Sequence, residues 1–329
     1  MAEKSEMQHP PVFVGGFRSG STLLINYLGL HPQISALYET RFLAHLLRIT
    51  RLLQDENGRS DSELRIVARW VGNPGLSSAE AVDVMVRNAI DDIDLMQRIR
   101  DGLAPYEQAP YERYALGAEH ILWTAEEGME AIEPFVRAVR AACPPHTLVP
   151  ILAPGIRLLF ARHASREGKN YWINKTPELP RFQPELRQML GRVKFIQLIR
   201  DGRDVVHSCM KHYGWTAASG SWSWKKLIEE ARAQASHYPE DYLELRYEAL
   251  VADHEGTLKK VLDFVEIDGD PRQIIAAQER HAPGSTSRLE AERRSGGWRS
   301  EMSASDRAVF KSLANDLLVS LGYAQDSDW

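Results

Sequence analysis

Val12-Phe13-Val14-Gly15-Gly16-Phe17-Arg18-Ser19-Gly20-Ser21-Thr22-Leu23-Leu24 is the stretch from which the fold is read. It opens as a short apolar strand and breaks into a Gly/Ser turn. It then resumes with Leu23, Leu24, Tyr27, Leu28 and Leu30 recurring near the helical period. A strand, a glycine-rich turn and a helix in that order bring backbone N–H groups to a helix N-terminus, where free donors and the helix dipole both favour a phosphate-like anion. The alternation returns twice. Lys194 to Ile199 (KFIQLI) reads as a second strand, ending at Arg200-Asp201-Gly202-Arg203-Asp204 before a helix from Val205. Tyr242 to Arg246 reads as a third, followed by Tyr247-Glu248 and an amphipathic helix over Thr257 to Val265. Strands alternating with helices predict an α/β fold with a parallel sheet.

The chain has 329 residues, the length of about two average domains or one large α/β unit. Its 43% hydrophobic and 26% charged residues exclude global disorder and a small disulfide scaffold. A formal net charge of −5 supplies no overall positive field for nucleic acid or an anionic membrane, so any anion site must be local. Cys143 and Cys209 have neither zinc nor redox spacing and read as small buried hydrophobes. Met1 to Pro11 lacks the apolar core of a secretory signal. Leu148 to Phe160, the most apolar later run, is too short for a bilayer and carries two prolines and Arg157. These features predict a soluble cytoplasmic protein with neither a nucleic-acid nor a membrane partner. Oligomeric state leaves no signal in the sequence.

From about Phe42 to Lys169 the pattern is helical, as in Phe42-Leu43-Leu46-Leu47 and Val82-Val84-Met85-Ile90-Ile93, with few strand candidates. Proline and glycine at Asn73-Pro74-Gly75, Ala104-Pro105, Ala109-Pro110, Pro144-Pro145 and Pro154-Gly155 are expected to cut it into several helices. Near the end, Ser303 or Ser305 is expected to cap a helix carrying Val309, Phe310, Leu313, Leu317, Leu318 and Leu321, with Gly322 closing it.

Two constellations carry chemistry. In a magnesium-binding phosphotransferase loop, G-x-x-x-x-G-K-[ST], the lysine would fall at position 21; here Ser21 stands there and the cation comes earlier, as Arg18. Likewise Arg200 occupies the strand end where an aspartate would hold magnesium, with Ser208 eight residues on, a pair suited to another anion. Two anion loops at the carboxyl edge of one parallel sheet imply a ligand with two anionic groups, as in a bisphosphorylated nucleotide. The alternatives are an ordinary turn with a solvated arginine and, for Arg200, Asp201, Arg203 and Asp204, a solvated charge cluster.

Arg18-Ser19-Gly20-Ser21-Thr22-Leu23-Leu24 resembles the 5′-phosphosulfate loop, and Arg200-Asp201-Gly202-Arg203 through Ser208 the 3′-phosphate motif, of sulfotransferases that use 3′-phosphoadenosine 5′-phosphosulfate. The branch containing the tyrosylprotein sulfotransferases is closer still: it is similar in His31-Pro32, Glu39-Thr40-Arg41, Asn174-Lys175-Thr176-Pro177 and Tyr247-Glu248. The likeness covers about residues 12–48 and 170–323.

That resemblance implies a P-loop NTPase-like parallel sheet flanked by helices and a single sulfotransferase domain over residues 1–329. Residues 42–169 would form a mainly helical insertion, an acceptor-binding lid over the active site. It implies 3′-phosphoadenosine 5′-phosphosulfate as donor cosubstrate, no metal, and a small-molecule or carrier-bound hydroxyl acceptor. Glu39 would be the general base, while Arg18, Lys175 and Ser208 would surround the sulfuryl group and the leaving oxygen. The donor would be held by Arg18, Ser19, Gly20, Ser21, Thr22, Arg200, Ser208 and Tyr247. Where the tyrosylprotein branch has a lysine before its C-terminal tryptophan, this chain has Gly296-Gly297-Trp298, so Arg293 or Arg294 is the candidate closing contact. His120 is the alternative base, and Tyr106, Tyr111, Tyr114, Trp123, Trp215, Trp222 and Trp224 are candidates for the acceptor pocket or for core. A P-loop kinase-like phosphotransferase and a non-catalytic nucleotide-binding protein are the competing functions.

Overall fold

A computed structural model describes residues 9–54, 59–101, 123–281 and 295–329. In chain order the elements begin β1 (Val12–Gly15), α1 (Ser21–Gly29), β2 (Ile34–Tyr38), α2 (Arg41–Leu53), α3 (Arg59–Val71), α4 (Ser78–Arg100), α5 (Ala125–Arg140) and α6 (Pro145–Arg166). They continue with β3 (Tyr171–Lys175), α7 (Gln183–Leu190), β4 (Lys194–Ile199), α8 (Gly202–Tyr213), α9 (Ala217–Ala235) and β5 (Tyr242–Arg246). The last are α10 (Tyr247–Ala252), α11 (His254–Val265), α12 (Pro271–His281), α13 (Trp298–Glu301) and α14 (Ala304–Ser320). The chain forms two compact units: the described parts of Met1–Pro11, Pro32–Thr176 and Pro184–Val193, and those of Val12–His31, Pro177–Gln183 and Lys194–Trp329.

The unit containing β1 is built on three parallel strands with β4 in the middle. Val12 lies opposite Lys194 and Gly15 opposite Gln197 on one side; Phe195 lies opposite Tyr242 and Ile199 opposite Arg246 on the other. Every residue of β1 and β4 is buried, which explains why both read as continuous apolar runs rather than alternating ones. Because the pairing is parallel, the turns after β1, β4 and β5 leave from the same edge, where ligands of open α/β sheets bind. Val206 and Cys209 of α8, Trp224 of α9 and Phe310 and Leu318 of α14 form one apolar cluster beside the strands. Burial pushes the Cys209 thiol up to about 12, so this cysteine behaves as the hydrophobe the sequence suggests. Ser303 caps α14, accepting from the Asp306 N–H.

In the other unit β2 and β3 pair in parallel, Ile34 opposite Tyr171 and Tyr38 opposite Lys175. Among the described residues, all the other elements of this unit are helices. Pro154-Gly155 does not divide a helix as expected: Pro150, Pro154 and Gly155 all lie inside α6, and Pro134 lies inside α5. Each proline deletes a main-chain donor, yet burial of Leu148, Leu152, Ile156, Leu159 and Phe160 along α6 outweighs that local loss. Gly155 has a different task. A Cβ there would stand 2.1 Å from the Ala131 carbonyl oxygen, so its bare backbone is what lets α6 meet α5. No helix among the described residues is long and apolar enough to cross a membrane.

The fold is therefore the expected class, mixed α/β with parallel strands flanked by helices in the manner of P-loop NTPases.

Candidate active site

The loop after β1 is shaped for an anion. Gly20, at φ 86, caps α1 without any side-chain cap, and the first turn of the helix holds no acidic residue. Its missing Cβ matters because one would lie 2.5 Å from the Tyr247 ring, so Tyr247 packs directly on the loop backbone. Ser21 Oγ donates to the Gly16 carbonyl at 2.9 Å and tightens the turn. Ser19 is 2% exposed, and its Oγ has no hydrogen-bond partner among the described residues. A buried hydroxyl without a partner is costly. Beside an uncapped helix N-terminus, it fits a phosphate or phosphosulfate oxygen as the missing acceptor.

The second motif joins the first through side chains 190 residues apart: Arg18 Nε donates to Ser208 Oγ at 2.9 Å. Arg18 itself is held at φ 47, a left-handed conformation that non-glycine residues seldom adopt. Arg200 Nη1 donates to the Arg18 carbonyl at 3.1 Å, and its guanidinium lies 4.7 Å from the Tyr247 ring centroid. Arg18, Ser208, Arg200, Gly20 and Tyr247 thus come together as one cationic cradle. Ser19, Ser21 and Thr22 stand in the same turn.

The charges after β4 are not a solvated cluster, since Arg200, Asp201, Arg203 and Asp204 are all buried. Buried charges require partners, and these have them. Asp201 caps α8 through the Arg203 N–H and binds the Arg203 guanidinium in a fork at 2.9 and 2.7 Å. Asp204 accepts from the Gly296 N–H at 2.8 Å and from the Trp298 N–H at 3.4 Å. Asp204 therefore fixes the Gly296-Gly297-Trp298 turn. Phe17 and Tyr213 each meet Trp215 at ring-centroid distances of 5.8 and 6.1 Å, and Tyr213, 52% exposed, lies 5.8 Å from the Arg18 guanidinium.

In the other unit, the pairing of β2 with β3 sets Glu39, the residue after β2, beside Lys175, the last residue of β3. The Glu39 N–H donates to the Lys175 carbonyl at 2.7 Å, and Lys175 Nζ reaches Glu39 Oε1 at 2.5 Å. Arg41 Nη2 binds the other carboxylate oxygen at 2.7 Å. Glu39 sits at φ 37, a second left-handed non-glycine residue. The carboxyl feels opposing effects. Burial pushes it up, but the Lys175 and Arg41 cations win and hold it at about 2. Around it, Asn174 Nδ2 donates to Thr40 Oγ1 at 2.7 Å and Thr176 Oγ1 to Asn174 Oδ1 at 3.0 Å, a buried polar chain that locks the Glu39-Thr40 turn.

A family model described as the sulfotransferase family matches residues 10–271. The chain belongs to the sulfotransferase family. The resemblance to sulfotransferases that use 3′-phosphoadenosine 5′-phosphosulfate is borne out at that level, and the chain is an enzyme of that kind. No curated protein matches it. Among solved structures it is similar to the sulfotransferase domain of the Synechococcus PCC 7002 olefin synthase, at 19% identity and TM-score 0.49, over 96% of this chain and 97% of that one. It is also similar to sulfotransferase STF9 of Mycobacterium avium, at 12% identity and TM-score 0.44, over 84% and 69%. A third is retinol dehydratase in complex with androsterone and inactive cofactor PAP, at 16% identity and TM-score 0.38, over 94% and 80%.

Some of the residues singled out for a sulfotransferase site, Arg293, Arg294, His120, Tyr106, Tyr111 and Tyr114, lie outside the described residues. Trp123 and Trp224 are core, while Trp215 stands beside the Arg18 loop. Sequence reasoning assigned no role to Thr40, Asn174, Thr176, Arg41 and Asp204. The signal for the first three was available: two strands ending in polar residues, ISALY-ET and YWINK-T, invite parallel pairing. Arg41 and Asp204 act through contacts that no spacing reveals.

Proposed function

We propose that this sulfotransferase moves a sulfuryl group from 3′-phosphoadenosine 5′-phosphosulfate to the hydroxyl of a small-molecule or carrier-bound acceptor in the cytoplasm, without a metal. The observation that carries the proposal is the Arg18–Ser208 hydrogen bond, with Arg200 on the Arg18 carbonyl, because it makes one anion site from two loops. A nucleotide with anionic groups at both its 5′ and 3′ positions is the ligand such a site suits. The N–H groups at the start of α1, with Ser19, Ser21 and Thr22, would take the 5′-phosphosulfate. Arg200, Ser208 and Tyr247 would take the 3′-phosphate, with Arg294 as a further contact.

In the transfer the acceptor oxygen forms a bond to sulfur as the bond from sulfur to the bridging oxygen breaks. Adenosine 3′,5′-bisphosphate leaves. Glu39 takes the hydroxyl proton, and Lys175, Arg18 and Ser208 stabilise charge on the sulfuryl and leaving oxygens. The Lys175–Glu39 ion pair at 2.5 Å supports a sequence of events. While paired, Glu39 is too acidic to be an effective base. Withdrawal of the Lys175 charge from Glu39 as negative charge develops on the leaving oxygen would leave burial opposed by Arg41 alone, and the carboxyl would rise. The transferred sulfuryl group bears less charge than a phosphoryl group, so fixed cations and dipoles suffice for it. In this proposal residues 1–329 act as one catalytic domain, and the helices of 42–169 supply the acceptor pocket. The segments His31-Pro32, Glu39-Thr40-Arg41 and Asn174-Lys175-Thr176-Pro177 support a kinship with the branch of the tyrosylprotein enzymes.

Calorimetric titration with adenosine 3′,5′-bisphosphate and with ATP tests the donor. Binding of the bisphosphate but not of ATP is expected, and binding of ATP alone, or of neither, sinks the proposal. Replacing Glu39 with alanine is expected to abolish turnover of labelled donor while leaving bisphosphate affinity within about twofold; retained turnover removes Glu39 as the base.

A further inference from the structure

Arg203 belongs to the same four-residue turn as Arg200 and on sequence alone is an equally good anion ligand. Its surroundings give it another task. It is 3% exposed, forked onto Asp201, and donates through Nη2 to the Tyr323 carbonyl at 2.9 Å. Two indole rings lie against its guanidinium, Trp298 with its centroid at 4.0 Å and Trp329 at 4.6 Å. Two of these four contacts come from the segment that follows α14. Trp329 is held in turn by its own indole N–H, which donates to Asn315 Oδ1 of α14 at 2.7 Å.

Tyr323 reaches the nucleotide motifs a second time. Its hydroxyl donates to Glu248 Oε2 at 2.9 Å, and Glu248 Oε1 accepts the Asp201 N–H at 3.3 Å. Burial raises the Tyr323 hydroxyl far above its ordinary value, which keeps it a proton donor at any working pH. Arg246 anchors the start of the segment, donating to the Leu321 carbonyl at 2.5 Å with its guanidinium 5.0 Å from the Tyr323 ring. The turn after β4 and the turn after β5 are therefore tied to each other through Tyr323, and the first is pinned from outside by Trp329.

We propose that Tyr323 and Trp329 are positioning residues for the nucleotide's 3′-phosphate: by fixing Arg203, Asp201 and Glu248 they hold the turn that presents Arg200. Arg203 is the rivet of this assembly and does not touch the nucleotide. The inference rests on the assignment of Arg200 to the 3′-phosphate under Proposed function. A turn that must be ordered by its ligand binds that ligand more weakly, and the loss falls only on ligands that carry the group the turn recognises.

The full chain is titrated with adenosine 3′,5′-bisphosphate and with adenosine 5′-monophosphate, which lacks the 3′-phosphate. In Trp329→Ala the dissociation constant for the bisphosphate is expected to rise about tenfold, with that for the monophosphate unchanged, and Trp329→Phe is expected to recover most of the loss. Tyr323→Phe, which removes one hydroxyl and no packing, is expected to raise the same ratio about threefold. It also serves as the readout if Trp329→Ala does not fold. A preference for the bisphosphate that survives both substitutions, or a parallel weakening toward both nucleotides, overturns this inference alone. A wild-type chain without that preference overturns the nucleotide assignment and this inference with it.

Discussion

Replacing Lys175 with methionine isolates the charge that keeps Glu39 ionised. The lysine side chain is 3% exposed and the carboxylate 10%, so the methionine fills a similar volume and the electrostatic change dominates. Glu39 stands at about 2 against an ordinary 4.5, a difference worth about 3 kcal/mol of stability. Because the folded value is the lower one, that contribution is complete above about pH 4.5 and is lost as pH falls from there toward about 2. Without Lys175, burial opposes Arg41 alone. Arg41 is 47% exposed, so solvent and salt screen its charge, and the Glu39 carboxyl rises. Lys175→Met is thus expected to lower stability at pH 7.5 by about 3–5 kcal/mol, the usual result of leaving one half of a buried pair behind. The deficit relative to the wild-type chain should also shrink as pH falls toward 4, because a carboxyl raised in the folded state is relieved by taking up its proton. Glu39→Gln added to Lys175→Met removes the stranded charge and should recover most of the deficit. Urea unfolding from pH 7.5 down to pH 4, followed by tryptophan fluorescence, reads all three chains without reference to turnover. A Lys175→Met chain with the wild-type midpoint and acid profile, or a double variant no more stable than the single one, refutes the electrostatic account.

Gly20→Ala places a Cβ 2.5 Å from the Tyr247 ring at a residue with φ +86, and is expected to weaken adenosine 3′,5′-bisphosphate binding about tenfold in a calorimetric titration. Gly155→Ala drives a Cβ to 2.1 Å from the Ala131 carbonyl oxygen, a backbone atom that cannot step aside. A loss of about 1–3 kcal/mol by urea unfolding, with bisphosphate affinity unchanged, is the expected outcome.

β1 and β4 were legible because each is a buried apolar run that breaks at glycine or arginine before a helix, and β5 because Tyr242, Leu243 and Leu245 precede the Tyr247-Glu248 helix start. β2 and β3 were harder to see. ISALY follows directly on the helical pattern of Leu23 to Leu30, and YWINK ends in two polar residues whose partners lie more than 130 positions away in sequence. Local pattern carries no information about such pairings. The prolines of α6 misled for the opposite reason, because local propensity was informative but burial overrode it. The anion loops stood out by composition, and so did Glu39 and Lys175 through the motifs that contain them. The buried forks that hold these residues, such as Arg203 on Asp201, look like ordinary charge clusters until their exposure is known.

Arg18 and Glu39 share one further property, their left-handed backbone. Each such non-glycine residue carries about 1–2 kcal/mol of strain, which glycine at the same position would relieve. The two side chains given the most to do in the proposed reaction therefore occupy positions where the polypeptide would be more comfortable without a side chain at all. With the roles proposed for them, a directed-evolution campaign that screens this chain for heat resistance alone will meet a gradient at codons 18 and 39 pointing toward inactive protein. Holding those two codons constant while the rest of the gene is diversified removes the conflict.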